Sequence, residues 1–269
     1  MTISSLKFIH NNLETVLKKY NYSLNKGDII AGIVFSEEKY GFLINIGNNI
    51  AGYLPYNEIL DTVFSKTIKQ HNFINLSESR EFLIIERKKV QNKQVLLSVK
   101  KLNYIKSWER IKQLYTEDIT LYTKIIGKNK GGILVDIENL VGFIPNSHAN
   151  SSLFQSNFIT NYKKVLVKFL EINETHNYII VSCKRVILQS YSNKFNVGTI
   201  INGTVKNIQK YGVFVDLGEI NGLLHISEIT NNHVESLQQI FEIGDKIWVS
   251  IIHIDTKQAR ISLSTKFLD

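Results

Sequence analysis

Hydrophobic and polar residues alternate along much of this chain in short runs. Ile201, Gly203 and Val205 alternate with Asn202, Thr204 and Lys206, the two-residue period of a half-buried strand. Lys210-Tyr211-Gly212 marks a turn into an apolar run at 213–217. A second turn at 218–221 precedes a short run at 222–225. The stretch 246–254 is rich in β-formers, and Asp255-Thr256-Lys257-Gln258 reads as a hairpin into 260–264. This predicts five strands, with a short helix at 234–241 between the third and fourth.

The same series occurs three times. The first copy runs through Gly27-Asp28-Ile29, Tyr40-Gly41-Phe42, Gly52-Tyr53-Leu54-Pro55 and Leu97-Ser98-Val99-Lys100. The second has Gly131-Gly132-Ile133, Gly142-Phe143-Ile144-Pro145 and Val181-Ser182-Cys183-Lys184. Gly52, Gly142 and Gly222 lie 90 and 80 residues apart, and Ser98, Ser182 and Ser264 lie 84 and 82 apart. A period near 80 is too long for a solenoid and suits small self-contained domains. Five short antiparallel strands with an interposed helix fit an OB-type barrel, whose closure removes most exposed edges. The predicted fold class is therefore all-β: three tandem five-stranded OB-fold barrels joined by short helical linkers.

Helical spacing breaks this pattern twice. Leu6, Ile9, Leu13, Leu17 and Tyr20 predict an amphipathic helix at 5–20, and Leu102, Ile105, Trp108, Ile111 and Leu114 predict another. Each helix either packs on a neighbouring barrel or docks another protein. The resulting division is an N-terminal helix at 1–24, a first domain at 25–101, a helical linker at 102–116, a second domain at 117–186, a linker at 187–196 and a third domain at 197–267.

Composition narrows the classes. Hydrophobic residues are 43% and charged residues 21% of the 269, which excludes wholesale disorder. Mean hydropathy is −0.06, and no apolar run approaches the roughly 18 residues of a membrane span. A single cysteine, Cys183, makes no internal disulfide and points to a reducing compartment. The N-terminus lacks a secretory apolar core and an Arg-rich transit character, so synthesis in the working compartment is expected. Net charge is +8, weakly favouring a polyanionic partner. Abundant Ile, Asn and Lys fit an AT-rich genome.

Catalytic signatures are lacking. No P-loop, dinucleotide fingerprint, nucleophile elbow or zinc-protease helix occurs. One Cys and seven scattered His supply no metal-ligand spacing. No catalytic residue, metal, cofactor or small-molecule substrate is expected. Cys183 is read as an inert residue in the last strand of the second copy.

The repeat unit resembles the RNA-binding domain family named after ribosomal protein S-one. Three blocks carry the resemblance: Lys210-Tyr211-Gly212-Val213-Phe214-Val215-Asp216, Gly222-Leu223-Leu224-His225-Ile226-Ser227-Glu228, and Ile261-Ser262-Leu263-Ser264-Thr265-Lys266. Trp108-Glu109-Arg110-Ile111-Lys112-Gln113-Leu114 looks like the inter-domain helix of ribosomal S-one proteins. Gly131-Gly132 with Gly142-Phe143-Ile144-Pro145-Asn146-Ser147 looks like their second domain. The three-domain length is similar to the short cyanobacterial and plastid branch. The resemblance implies a non-catalytic RNA-binding protein of the small ribosomal subunit that captures single-stranded messenger RNA for translation initiation. Its partners would be mRNA, ribosomal RNA and ribosomal proteins, with no membrane. With the AT-rich composition, it implies an organelle-encoded protein of the plastid (chloroplast) stroma, the alternative being a bacterial cytoplasm.

The resemblance places Tyr211, Phe214 and His225 on one side of the third barrel, with Asp255 and Arg260 nearby. Aromatic rings stack bases, and cations meet the backbone. Asp255 would accept from a base amine, and Lys206 and Lys210 would extend the basic edge. Sequence alone leaves two points open: Phe214 sits between Val213 and Val215, so either face is open to it, and His225 is equally readable as structural. The first copy keeps Tyr40, but Leu43 and Pro55 replace the Phe and His. The second has Gly131, Leu134 and Pro145 there, yet retains Lys124, Lys128, Lys130, Lys163, Lys164 and Lys168. Residues 197–269 carry six Lys/Arg against eight Asp/Glu, net −2, while 118–190 carry eight against five, net +3. Divided labour follows as an expectation: Lys128 and Lys130 of copy two meet phosphate, copy three stacks, and copy one docks. Two other readings stand beside this one: a ribosome-docking or protein-interaction scaffold, and an RNA-binding accessory of an RNA-degrading or transcription complex.

Overall fold

The computed structural model describes residues 24–47, 51–59, 79–87, 94–149, 164–191, 195–218, 220–229 and 237–266. The helix expected at 5–20 and Lys163 lie outside these. Two compact units divide the chain, Met1–Glu109 and Arg110–Asp269.

The first unit holds one closed barrel of β1 (Ile29–Glu38), β2 (Gly41–Asn45), β3 (Ala51–Pro55), β4 (Ser79–Arg87) and β5 (Gln94–Ser98). The second holds two more. One comprises β6 (Leu121–Lys128), β7 (Gly132–Ile137), β8 (Leu140–Pro145), β9 (Lys164–Asn173) and β10 (Tyr178–Ser182). The other comprises β11 (Ile200–Gln209), β12 (Gly212–Asp216), β13 (Asn221–His225), β14 (Lys246–Asp255) and β15 (Arg260–Ser264). Strand order is identical in all three. The third and fifth strands of each copy pair in parallel, and the remaining pairs are antiparallel. Three closed five-stranded barrels were thus predictable from period-two patterning.

Each barrel closes with the same two irregularities. The first strand bulges at Phe35, Ile126 and Lys206, and the fourth at Ile85, Leu170 and Ile252. An extra residue on one strand increases its twist and bends it, which a small barrel needs to close.

The repeated glycines answer to packing. A Cβ on Gly212 would lie 2.5 Å from the Leu224 carbonyl oxygen, and one on Gly41 or Gly132 would come as close to the matching carbonyl. A Cβ on Gly222 would strike the Leu263 side chain at 2.5 Å. The repeated serines have a different cause. Ser98, Ser182 and Ser264 are each fully buried, and each hydroxyl accepts an amide N–H from the segment that follows.

Two helices follow terminal strands: α1 (Lys100–Thr116) and α2 (Cys183–Ser190). Ser182 caps α2, so Cys183 opens a helix and does not end a strand as expected; it is buried and reduced. In α1, Leu102, Trp108, Ile111 and Leu114 are buried, but Ile105 is not. A spacing of three drifts around a helix of 3.6 residues per turn, so no single face collects all five. Lys106 of α1 pairs with Glu81 of the first barrel, while Tyr115 packs edge-on against Phe169 of the second. The helix expected at 234–241 is, among the described residues, a 3-10 turn at Leu237–Gln239.

Two outcomes test this account. Ser182→Ala removes a buried cap and should lower unfolding free energy by about 1 kcal/mol in urea titration. Gly212→Ala forces a methyl against a backbone carbonyl and should cost about 1–3 kcal/mol. An unchanged midpoint in either variant contradicts the assigned role.

Candidate nucleic-acid interface

Barrel closure settles which way Phe214 points. Val213 and Val215 are fully buried in the third core, together with Leu224, Val249 and Leu263. Phe214 therefore stands on the outer face, half-buried, beside Leu223 of β13. Tyr211, in the turn before β12, is 51% exposed. Its ring meets Phe214 edge-to-face, with centroids 6.2 Å apart. Arg260 begins β15 and is exposed on the same side. Tyr211, Phe214 and Arg260 together line one cleft of about 550 Å³.

The remaining expected residues lie at different places. His225 pairs with Gly212 and is exposed, but it does not line the cleft. Its Nδ1 accepts the Ser227 N–H at 3.2 Å and contacts Ser227 Oγ at 2.8 Å. That leaves Nε2 as the ring donor facing outward. Asp255 lies outside the cleft as well; its Oδ1 accepts the Lys257 and Gln258 N–H groups, each at 2.9 Å, and shapes the β14–β15 hairpin. Lys206, the bulge residue of β11, donates to Asp216 at 3.2 Å. Lys210 is exposed beside Tyr211.

The other barrels present different faces. Tyr40 is 67% exposed, with Lys39 Nζ 5.3 Å from its ring centroid. Tyr53 occupies the position of Leu223, and the bulge residue Phe35 is exposed. Phe42 is buried, and Tyr56 donates its hydroxyl to Glu37 at 2.6 Å. In the second barrel Phe143 sits across from Leu134, its ring over Gly131 and Gly132, where the third barrel carries Tyr211. Sequence reading passed over Phe35 and Phe143, and set Tyr53 and Phe42 aside as nearby aromatics at other positions. The bulges hide Phe35's direction, whereas the Gly-Gly facing a Phe across a hairpin is a readable signal. Lys128 and Lys130 are exposed at the β6–β7 turn, whose amides Asn129 Oδ1 ties together. Lys168 departs from expectation: it is buried and paired with Asp118 at 2.7 Å.

The second barrel also reaches the cleft, through Ser147, His148 and Lys184. Burial, then Lys184 and Arg260, holds the His148 imidazole below its ordinary pKa. Burial, then Lys206, does the same to Lys184. Among the described residues no carboxylate lines this cleft. The arrangement is basic, flanked by the exposed ring of Tyr211 and the half-buried ring of Phe214, and suited to a planar base joined to a phosphate.

The family model for the S1 RNA-binding domain matches residues 23–100 and 194–266, the first and third barrels. The chain is 41% identical to small ribosomal subunit protein bS1c of Porphyra purpurea over the full length of both. It belongs to the bS1 family of small ribosomal subunit proteins. It is similar to bS1 of Synechococcus sp. at 37% identity, over 97% of this chain and 83% of that one. Against bS1c of Spinacia oleracea identity is 31%, over 99% of this chain and 64% of that one. The family's RNA-binding domain is the barrel whose outer aromatic face is described above.

A lowered imidazole pKa makes a testable prediction. The folded state binds fewer protons at His148 than the unfolded chain, so its contribution opposes folding as pH falls through the ordinary histidine range. An NMR titration of His148 should show protonation below that range. A midpoint at or above it would contradict the burial of His148 beside Lys184 and Arg260.

Proposed function

We propose that this chain is a non-catalytic component of the small ribosomal subunit that holds single-stranded messenger RNA, with the third barrel stacking its bases. The observation that supports this best is the outward pair Tyr211 and Phe214 beside Arg260, backed by a core that buries their neighbours Val213 and Val215. Two adjacent rings accept bases with little sequence preference, because every base offers a π-face. His225 donates from Nε2 at the margin, and Lys210 adds charge.

Barrel two contributes electrostatics through Lys128 and Lys130. Barrel one, with Tyr40 under Lys39, serves docking to ribosomal RNA and protein. Plastid-type relatives in red algae and spinach support a plastid location, and the AT-rich composition is what favours an organelle-encoded stromal copy.

Fluorescence anisotropy on a uridine-rich RNA across a salt series tests the reading. Replacing Tyr211, Phe214 and His225 together by Ala should weaken binding at least about tenfold, since each stacked base is worth about 1–3 kcal/mol. The salt slope should barely change, because phosphate contacts persist. Unchanged affinity with a steep slope would move binding to the second barrel.

A further inference from the structure

The cleft beside the stacking pair is built by two barrels. Tyr211, Phe214 and Arg260 come from the third, while His148 and Lys184 come from the second. Lys184 sits in the first turn of α2, two residues after the buried cap Ser182. Ser182 Oγ also lies 3.1 Å from His148 Nδ1 and accepts the Arg185 N–H, so one serine touches His148 and caps the helix that carries Lys184. The Lys184 ammonium has no carboxylate partner among the described residues, and none lines the cleft. Arg260 and Lys206 lie close enough to disfavour the charged forms of His148 and Lys184. A half-buried cation facing other cations is an arrangement that an anion relieves.

The two barrels are also clasped next to this cleft. Arg185, the residue after Lys184, is nearly buried. It donates to the Phe169 carbonyl and to Asp118 at 3.1 Å on the second barrel's side, and to the Thr256 carbonyl at 3.0 Å on the third's. Three directed bonds from one rigid guanidinium hold the cleft walls in place before any ligand arrives, which lowers the cost of binding.

We propose that RNA stacked on Tyr211 and Phe214 continues through this cleft onto the second barrel, with a backbone phosphate held by Lys184 beside Arg260. The inference rests on the stacking role of the third barrel and extends it to a two-barrel path. It assigns to Lys184 a role in RNA length dependence: a strand long enough to leave the third barrel gains a contact that a short one lacks.

The experiment compares the full chain with Lys184→Gln and Lys184→Arg on uridine oligomers of about four and about twelve nucleotides, the span of OB-fold sites. NMR titration reads the short oligomer and anisotropy over a salt series reads the long one. Lys184→Gln should weaken the long oligomer by about threefold to tenfold and reduce its salt slope by about 0.7, one phosphate contact on a single strand. The short oligomer should lose clearly less than the long one, and Lys184→Arg should restore both affinity and slope. An unaltered slope for the long oligomer in Lys184→Gln overturns the proposal. So does an equal loss for both oligomers, which would place Lys184 in support of the third barrel's own face. Tyr211→Ala/Phe214→Ala without effect on the short oligomer would instead remove the stacking role, a separate failure visible in a separate measurement.

Discussion

Closure of a five-stranded barrel around a small apolar core is the constraint behind every functional feature of this chain. So few strands enclose little volume, so alternate residues must fill it while their neighbours face out. The backbones then approach closely enough that Gly41, Gly132 and Gly212 have no room for a Cβ. That close approach ends the turn carrying Tyr211 and starts the strand carrying Phe214. The edge-to-face pair of Tyr211 and Phe214 is thus a consequence of how tightly β12 and β13 meet. The bulges at Lys206 and Ile252 absorb the twist that closure requires.

One backbone supports three chemistries. The outer face holds Tyr211, Phe214 and Leu223 in the third barrel, Tyr40, Leu43 and Tyr53 in the first, and Gly131, Leu134 and Phe143 in the second. These positions do not contribute to closure, so they vary while the core and glycines repeat. Phe143 over a glycine pair gives the second barrel an aromatic surface by another route. The strand-ending position shows the same latitude: His225 caps its following turn through Nδ1, while Pro55 and Pro145 begin theirs with no side-chain cap.

Charge in the second unit is organised by burial. Lys168 and Arg185 are largely enclosed and share Asp118, so they hold the barrels and offer little to a polyanion. Lys184, next to Arg185, lines a cleft that carries no carboxylate among the described residues. Adjacent basic residues on one helical turn thus do opposite things, because successive side chains point about 100° apart. Net charge over a segment does not separate them.

Period-two alternation, the spacing of Gly52, Gly142 and Gly222, and the hairpin signals determined by themselves that the chain holds three five-stranded barrels. These are local properties, set by backbone geometry over a few residues. The candidates Tyr211 and Phe214 came from the family block that contains them, and Arg260 from the resemblance that sets it nearby. What sequence left open was direction. Phe214 between two valines has no preferred side until closure buries Val213 and Val215. Asp255 looks available to a base until the hairpin amides occupy its carboxylate. Lys168 counts as surface charge until Asp118, 50 residues away, encloses it with Arg185. The meeting of His148 and Lys184 with Arg260 depends on how two barrels pack, a contact between residues more than 70 positions apart, and only the tertiary structure decides it.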